Sequence, residues 1–216
     1  MPGQSITYVD ALYTAVSALC VTGLSIVDTA AVFNPFGQAI LAVLIQVGGL
    51  GVSTMGAGVL LMLGRKVGIR QRNLIHDTMN LDSYSGVVRF LRTLFATTVF
   101  IEIIGAFLGY FVFRRDYEMM ESIGLSIFHS ISSFNNAGLT ILTKERSMEM
   151  YAEDPFMLIL TTALVFVGGL GFIVIRECWV NRFRWRKLSM HSRVSIFMAV
   201  FLLIGGAVLL LSLIHI

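Results

Sequence analysis

Two glycine-centred turns, Cys20-Val21-Thr22-Gly23-Leu24 and Asn135-Asn136-Ala137-Gly138-Leu139, lie 115 positions apart and hold the chemistry this chain offers. Side chains suited to catalysis are lacking around them. The serines at 17, 132 and 133 have no flanking glycines and no nearby acid–base pair, and no zinc-ligand spacing exists. What remains is main chain. Gly23 and Gly138 can take backbone angles closed to other residues and let carbonyl oxygens converge with no Cβ in the way. Converging carbonyls can replace the water around a dehydrated cation.

The elements around the turns must place them at depth in a membrane. Each turn follows a short apolar segment of helical pattern, residues 7–19 and 122–134. Thirteen residues of helix reach about 20 Å, too little to cross roughly 30 Å of hydrocarbon. Each copy then runs through an Xaa-Pro-Phe step (Asn34-Pro35-Phe36, Asp154-Pro155-Phe156) into a long apolar stretch. Those stretches share Val47-Gly48-Gly49-Leu50-Gly51 and Val167-Gly168-Gly169-Leu170-Gly171. A half-helix entering from one face aims its C-terminal end at the bilayer centre, where the macrodipole places about half a negative charge. Irregular backbone at that depth is tolerated only where it lines a water-filled cavity or packs in protein. Two copies cannot close a ring of four donors, so a complete pore needs two more.

Composition agrees with a bilayer as solvent. Of 216 residues, 56% are hydrophobic and only 13% charged, with mean hydropathy +0.81, whereas a soluble domain is about a quarter charged. Four runs are long enough to span, near 37–63, 87–113, 156–175 and 194–214. No segment has the pattern of a cleavable signal peptide. The net charge of +3 is distributed in a way that argues against nucleic acid as a partner. Twelve of the 16 Lys and Arg residues lie between the first two spans or between the last two, counting Arg89 and Arg92 at the adjoining end of the second span, and nine of the 13 acids lie on the opposite side. The positive-inside rule therefore places the basic loops in the cytosol and brings both half-helices in from outside. Cys20 and Cys178 fall at opposite faces and do not pair.

The expected fold is an all-α membrane protein of repeated helix, pore-helix, filter-loop, helix units, truncated at both ends. Residues 1–63 form a first repeat lacking its leading span: pore helix 7–19, filter loop 20–24 and span 37–63. A cytosolic loop occupies 64–86. Residues 87–175 form a complete second repeat: span 87–113, pore helix 122–134, filter loop 135–139 and span 156–175. A basic cytosolic loop follows at 176–193, then the leading span of a third repeat at 194–214. The start at Met1 reads as internal to a longer chain. The last six residues, 211–216, read like a translated transposase sequencing adaptor, and His215 is given no functional weight.

The segments Ser17–Leu24 and Phe128–Leu139, with Gln46–Gly51 and Phe166–Gly171, resemble the first two filter regions of the Trk/Ktr/HKT potassium transporter superfamily. Within it, the likeness is greatest to the membrane subunits of bacterial sodium-dependent potassium uptake systems. The resemblance covers nearly the whole chain, in order and in spacing. It implies four repeats around one pore with a single filter glycine each, at Gly23 and Gly138 here. It puts the carbonyls of Val21, Thr22, Asn136 and Ala137 on the ion, with potassium as transported substrate, sodium as activator and no covalent cofactor. Serine at the first glycine position goes with sodium conduction in the family, so Gly23 favours potassium. The resemblance also implies a homodimer of the full-length chain in a bacterial plasma membrane, on a cytosolic nucleotide-binding regulatory subunit. The third and fourth filters are absent from this sequence.

Other residues are read beside this frame. Glu102 is the one acid inside a span; such a carboxylate is functional by default, but here it is read as structural, hydrogen-bonding a loop or staying protonated. Cys20, Asn135 and Glu102 are candidate supports of the loops. Asn135 and Asn136 either present amides to ions or brace the loop. His129 is read as packed and neutral. The glycine clusters at 48–51 and 168–171 are read as close helix packing, since no Lys-Ser/Thr follows them as a nucleotide loop requires. Two rival functions fit the pattern less well: a secondary transporter would aim half-helix N-termini at an anionic solute, and an intramembrane hydrolase lacks its acid–base pair.

Overall fold

A computed structural model of the chain describes residues 6–62, 87–142, 148–182 and 184–213. The expected loop 64–86 and the tail residues 214–216 lie outside the described residues. The described residues are helical with short connections, and no strand occurs among them. Among the described residues nine α-helices follow in order: α1 (Tyr8–Leu19), α2 (Thr29–Val32), α3 (Pro35–Leu50), α4 (Val52–Met62), α5 (Val87–Phe113), α6 (Met119–Phe134), α7 (Pro155–Gly169), α8 (Phe172–Val180) and α9 (Met190–Leu213). The chain divides into two compact units, residues 1–165 and 166–216.

Helix starts are written in the sequence. Thr7 caps α1 through a box in which its hydroxyl accepts from the Asp10 N–H at 3.2 Å and Asp10 reaches back to the Thr7 N–H at 3.2 Å. Such a box satisfies two of the orphan donors of a helix start. Asp28 caps α2, and Asn34 caps α3 ahead of Pro35, accepting from the Gly37 N–H at 2.8 Å; proline suits the first helical position because its missing N–H is an orphan there anyway. The second short helix starts earlier than the sequence suggests, at Met119, after Glu118 in extended conformation.

Two expected spans are each two helices. The run 37–63 breaks at Gly51 between α3 and α4, and 156–175 breaks at Leu170-Gly171 between α7 and α8. Gly51 has φ 83 and ψ 133, and Gly171 φ 84 and ψ 148. These angles belong to glycine alone. In each copy the last glycine of the GGLG motif therefore interrupts the helix. Among the described residues, α5 and α9 are unbroken and apolar enough to cross a bilayer, and α7 with α8 adds a third crossing if the pair counts as one. The basic loop expected at 176–193 is shorter than expected, because α8 continues to Val180 and α9 begins at Met190.

In the first unit, one core centres on Phe113 at the end of α5. It includes Val112, Tyr117, Leu125, Leu142, Tyr151, Met157, Leu160 and Leu164. The Phe113 ring meets Tyr151, His129 and Tyr117 edge-on at centroid distances of 5.4, 5.8 and 6.5 Å, the geometry that aromatic quadrupoles favour. Tyr151 donates its hydroxyl to Asp116 at 3.0 Å. The helices α5 and α6 approach closely at Gly105, where a Cβ would strike Ser130 and Leu164. In lipid, such small-residue contacts and interhelical hydrogen bonds replace the hydrophobic drive between helices.

The second unit packs Val174, Cys178 and Leu188 together, with Leu170 and Ile196 against them. Its turn is tied by Glu177, which accepts from the Ser189 N–H at 3.0 Å and its hydroxyl at 2.9 Å. The long helix α9 leaves most of its apolar side chains exposed, from Phe197 to Leu213.

Candidate functional site

The two glycine turns have one hydrogen-bond pattern at an offset of 115. In the first, the N–H groups of Cys20, Val21 and Thr22 donate to the carbonyls of Val16, Ala18 and Ser17 at 2.8, 3.3 and 3.1 Å. In the second, those of Asn135, Asn136 and Ala137 donate to Ile131, Ser133 and Ser132 at 3.1, 3.1 and 2.8 Å. The crossed 6→1 and 5→2 bonds are a Schellman ending. Cys20 and Asn135 are the helix C-caps.

Each ending needs a left-handed residue at the next position. Val21 supplies it with φ 55 and Asn136 with φ 59. Asparagine tolerates that region, but a β-branched residue there is an outlier. Gly23 and Gly138 are left-handed too, at φ 73 and 70. Two left-handed residues with one between them turn the chain sharply away from each helix end, where the macrodipole is negative.

The two turns lie against each other. A Cβ built on Gly23 would stand 2.5 Å from the Ala137 carbonyl oxygen and 3.6 Å from the Gly138 Cα. The expected loop residues Val21, Thr22, Gly23, Asn136, Ala137 and Gly138 thus fall at one place, past the C-terminal ends of α1 and α6. Thr22, Asn136 and Gly138 are exposed, while Ala137 is buried in a core shared with Ala18, Leu41, Ile45, Phe128 and Leu139.

Hydroxyls brace both turns from behind. The Ser17 and Thr22 hydroxyls share a hydrogen bond of 2.9 Å, and Ser132 donates to the Leu139 carbonyl at 2.6 Å. Thr29, past the first turn, donates to the Thr140 carbonyl past the second. His129 sits edge-on to Phe113, with Nε2 at 3.0 Å from the Thr161 hydroxyl and 3.3 Å from that of Ser133.

The candidate supports differ. Cys20 is exposed and its thiol is free. Asn135 is buried, and its Nδ2 donates among the Ile131 carbonyl at 2.9 Å, Gln46 Oε1 at 3.1 Å and Glu102 Oε1 at 3.2 Å. The Glu102 backbone carbonyl in turn accepts from the Ser130 hydroxyl at 2.8 Å. Sequence reasoning missed Gln46 as a support, whereas Gly48 and Gly49 make the close helix packing read from the sequence. A Cβ on Gly48 would overlap the Leu19 carbonyl, and one on Gly49 the Asn135 side chain. The available signal was Gln46 itself, the only polar side chain between Ala39 and Gly51.

Helices apolar enough to span, with two shorter helices whose glycine turns lie against each other, define an all-α membrane protein of repeated helix–loop–helix units. The chain belongs to the TrkH family of cation transport proteins, whose sequence profile matches residues 1–215. It is similar to Ktr system potassium uptake protein B of Bacillus subtilis, 35% identical over 191 residues, or 88% of this chain and 42% of the relative. Its similarity to the same-named protein of Vibrio alginolyticus is 37% over 214 residues, or 96% and 45%. Potassium/sodium uptake protein NtpJ of Enterococcus hirae is 35% identical over 209 residues, or 97% and 46%. The chain spans a little under half the length of these relatives.

Proposed function

We propose that this chain contributes two of the filter turns of a potassium pore, in the membrane subunit of a Ktr/Trk-type uptake system. A single observation carries the proposal. Two turns of one backbone pattern meet at Gly23 and Ala137, each at the negative end of a half-helix. Carbonyls of Val21, Thr22, Asn136 and Ala137 replace part of the hydration shell of the ion, and two further turns complete the ring. Carbonyl dipoles stabilise a cation without a fixed negative charge, so the ion can leave as well as enter.

The order of helix before glycine turn puts C-termini, not N-termini, at the site, which disfavours an anionic substrate. The chemistry is transport with no bond broken, so the protein is not an enzyme. Its complete form is a homodimer in the plasma membrane, with basic loops in the cytosol facing a nucleotide-binding regulatory subunit and with sodium as activator. A sodium-permeable or mixed-cation pore is the second reading, favoured by the potassium/sodium activity in the name of the Enterococcus relative.

The test is growth and potassium uptake in cells that lack their own uptake systems, with the complete transporter and its Gly23→Ser variant. The potassium reading expects uptake from the wild type and loss of potassium over sodium discrimination in the variant. Unchanged discrimination contradicts the filter assignment.

A further inference from the structure

We propose that Gln46, on the helix of the first repeat, is a positioning residue for the glycine turn of the second repeat, acting through Asn135. The proposal rests on the filter reading above and adds a residue that sets how well that filter discriminates. Asn135 caps α6 immediately before left-handed Asn136 and three residues before Gly138. Its Nδ2 faces three acceptors, Ile131 O, Gln46 Oε1 and Glu102 Oε1, at 2.9, 3.1 and 3.2 Å. An amide nitrogen has two hydrogens, so one is shared.

The opposite edge is equally constrained. Asn135 Oδ1 is buried without a hydrogen-bond partner among the described residues, over the space left by the missing side chain of Gly49. The Ile131 carbonyl can only accept, so flipping the Asn135 amide would set two acceptor oxygens against each other, and that contact holds Nδ2 on this edge. Gln46 and Gly49 lie on α3, whereas Glu102 lies on α5. The second turn is therefore held between a helix of its own repeat and a helix of the preceding one. Among the described residues no such bracket holds the first turn, whose cap is Cys20, which is exposed. An amide in an apolar run is costly unless it finds a partner, and Asn135 is that partner for Gln46.

The test uses the complete transporter in potassium-uptake-deficient cells and reads the ratio of rubidium to sodium uptake, which does not depend on protein abundance. Gln46→Leu and Glu102→Leu should each lower the ratio about fivefold, the factor that corresponds to one net hydrogen bond. Glu102→Gln keeps an acceptor and should retain the ratio. Gln46→Leu with Asn135→Leu should lose no more than Asn135→Leu alone, because the two act through one contact.

A wild-type ratio in Gln46→Leu, whether abundance is normal or reduced, overturns the bracket and leaves Gln46 a structural residue only. Additive losses in the double variant overturn it as well. Gly23→Ser run alongside separates the two readings. If it leaves the ratio unchanged, the filter reading fails; if it lowers the ratio while Gln46→Leu does not, only the bracket fails.

Discussion

The carbonyl oxygen of Ala137 lies 2.5 Å from the point where a Cβ on Gly23 would stand, whereas the nearest atom to a Cβ on Gly138 is the Gly23 Cα at 3.9 Å. The two glycines occupy equivalent positions in their repeats but are not equally tolerant. Both are left-handed, so any side chain costs about 1–2 kcal/mol in backbone energy. Only at Gly23 must a backbone carbonyl also move. Gly23→Ala should therefore lower potassium over sodium discrimination more than Gly138→Ala does. Ion competition in uptake assays checks the order, and an equal or reversed effect counts against the contact.

Gly48 and Gly49 seat α3 against the ends of both half-helices. Alanine at either position forces the Leu19 carbonyl or the Asn135 side chain to shift, and overpacking of that kind costs about 1–3 kcal/mol. Gly124, in the middle of α6, has nothing within 4 Å of its Cβ position. Gly124→Ala should be neutral or gain up to about 1 kcal/mol from helix propensity. Thermal unfolding in detergent, read side by side, should separate the three variants with opposite signs.

Asn136 and Val21 share the left-handed cap position, at φ 59 and 55. Asn136→Val should destabilise by about 1–2 kcal/mol, the cost of a Cβ-branched residue in that region, whereas Asn136→Gly should come close to wild type. Denaturation midpoints would show this, and a silent Asn136→Val would mean that the turn relaxes.

Asp154 caps α7. Its carboxylate is held below the usual range by the N–H of Met157 at 3.2 Å, with the Phe156 N–H at 2.9 Å and the Arg115 guanidinium at 2.6 Å adding to it. A lowered folded-state pKa stabilises at pH values above the unfolded value of about 3.9. That contribution is lost as pH falls through the folded value. Asp154→Asn keeps an acceptor but loses the charge. The wild type should melt higher at neutral pH, with the gap steady down to about pH 4 and closing below it. A gap that widens on acidification would contradict the assignment.

Much of the fold was legible because membrane helices announce themselves by length and apolarity, and because the turns recur with the same residues. Three features were not. The breaks at Gly51 and Gly171 hide inside a motif whose first two glycines suggest packing alone, and in the first copy those glycines do pack, on Leu19 and Asn135. The left-handed backbone at Val21 has no sequence signal, since valine avoids it and the surrounding packing imposes it. The bracket on Asn135 joins residues 89 and 33 positions away, and pairings at such range come from tertiary structure, beyond any local pattern.

The most direct measurement is the position of a heavy potassium substitute, rubidium or thallium, in crystals of the complete transporter, located by anomalous scattering. The account predicts a peak on the pore axis, coordinated by the main-chain oxygens of Val21, Thr22, Asn136 and Ala137. Ions found only at side-chain carboxylates, with none at the meeting point of Gly23 and Ala137, would contradict it.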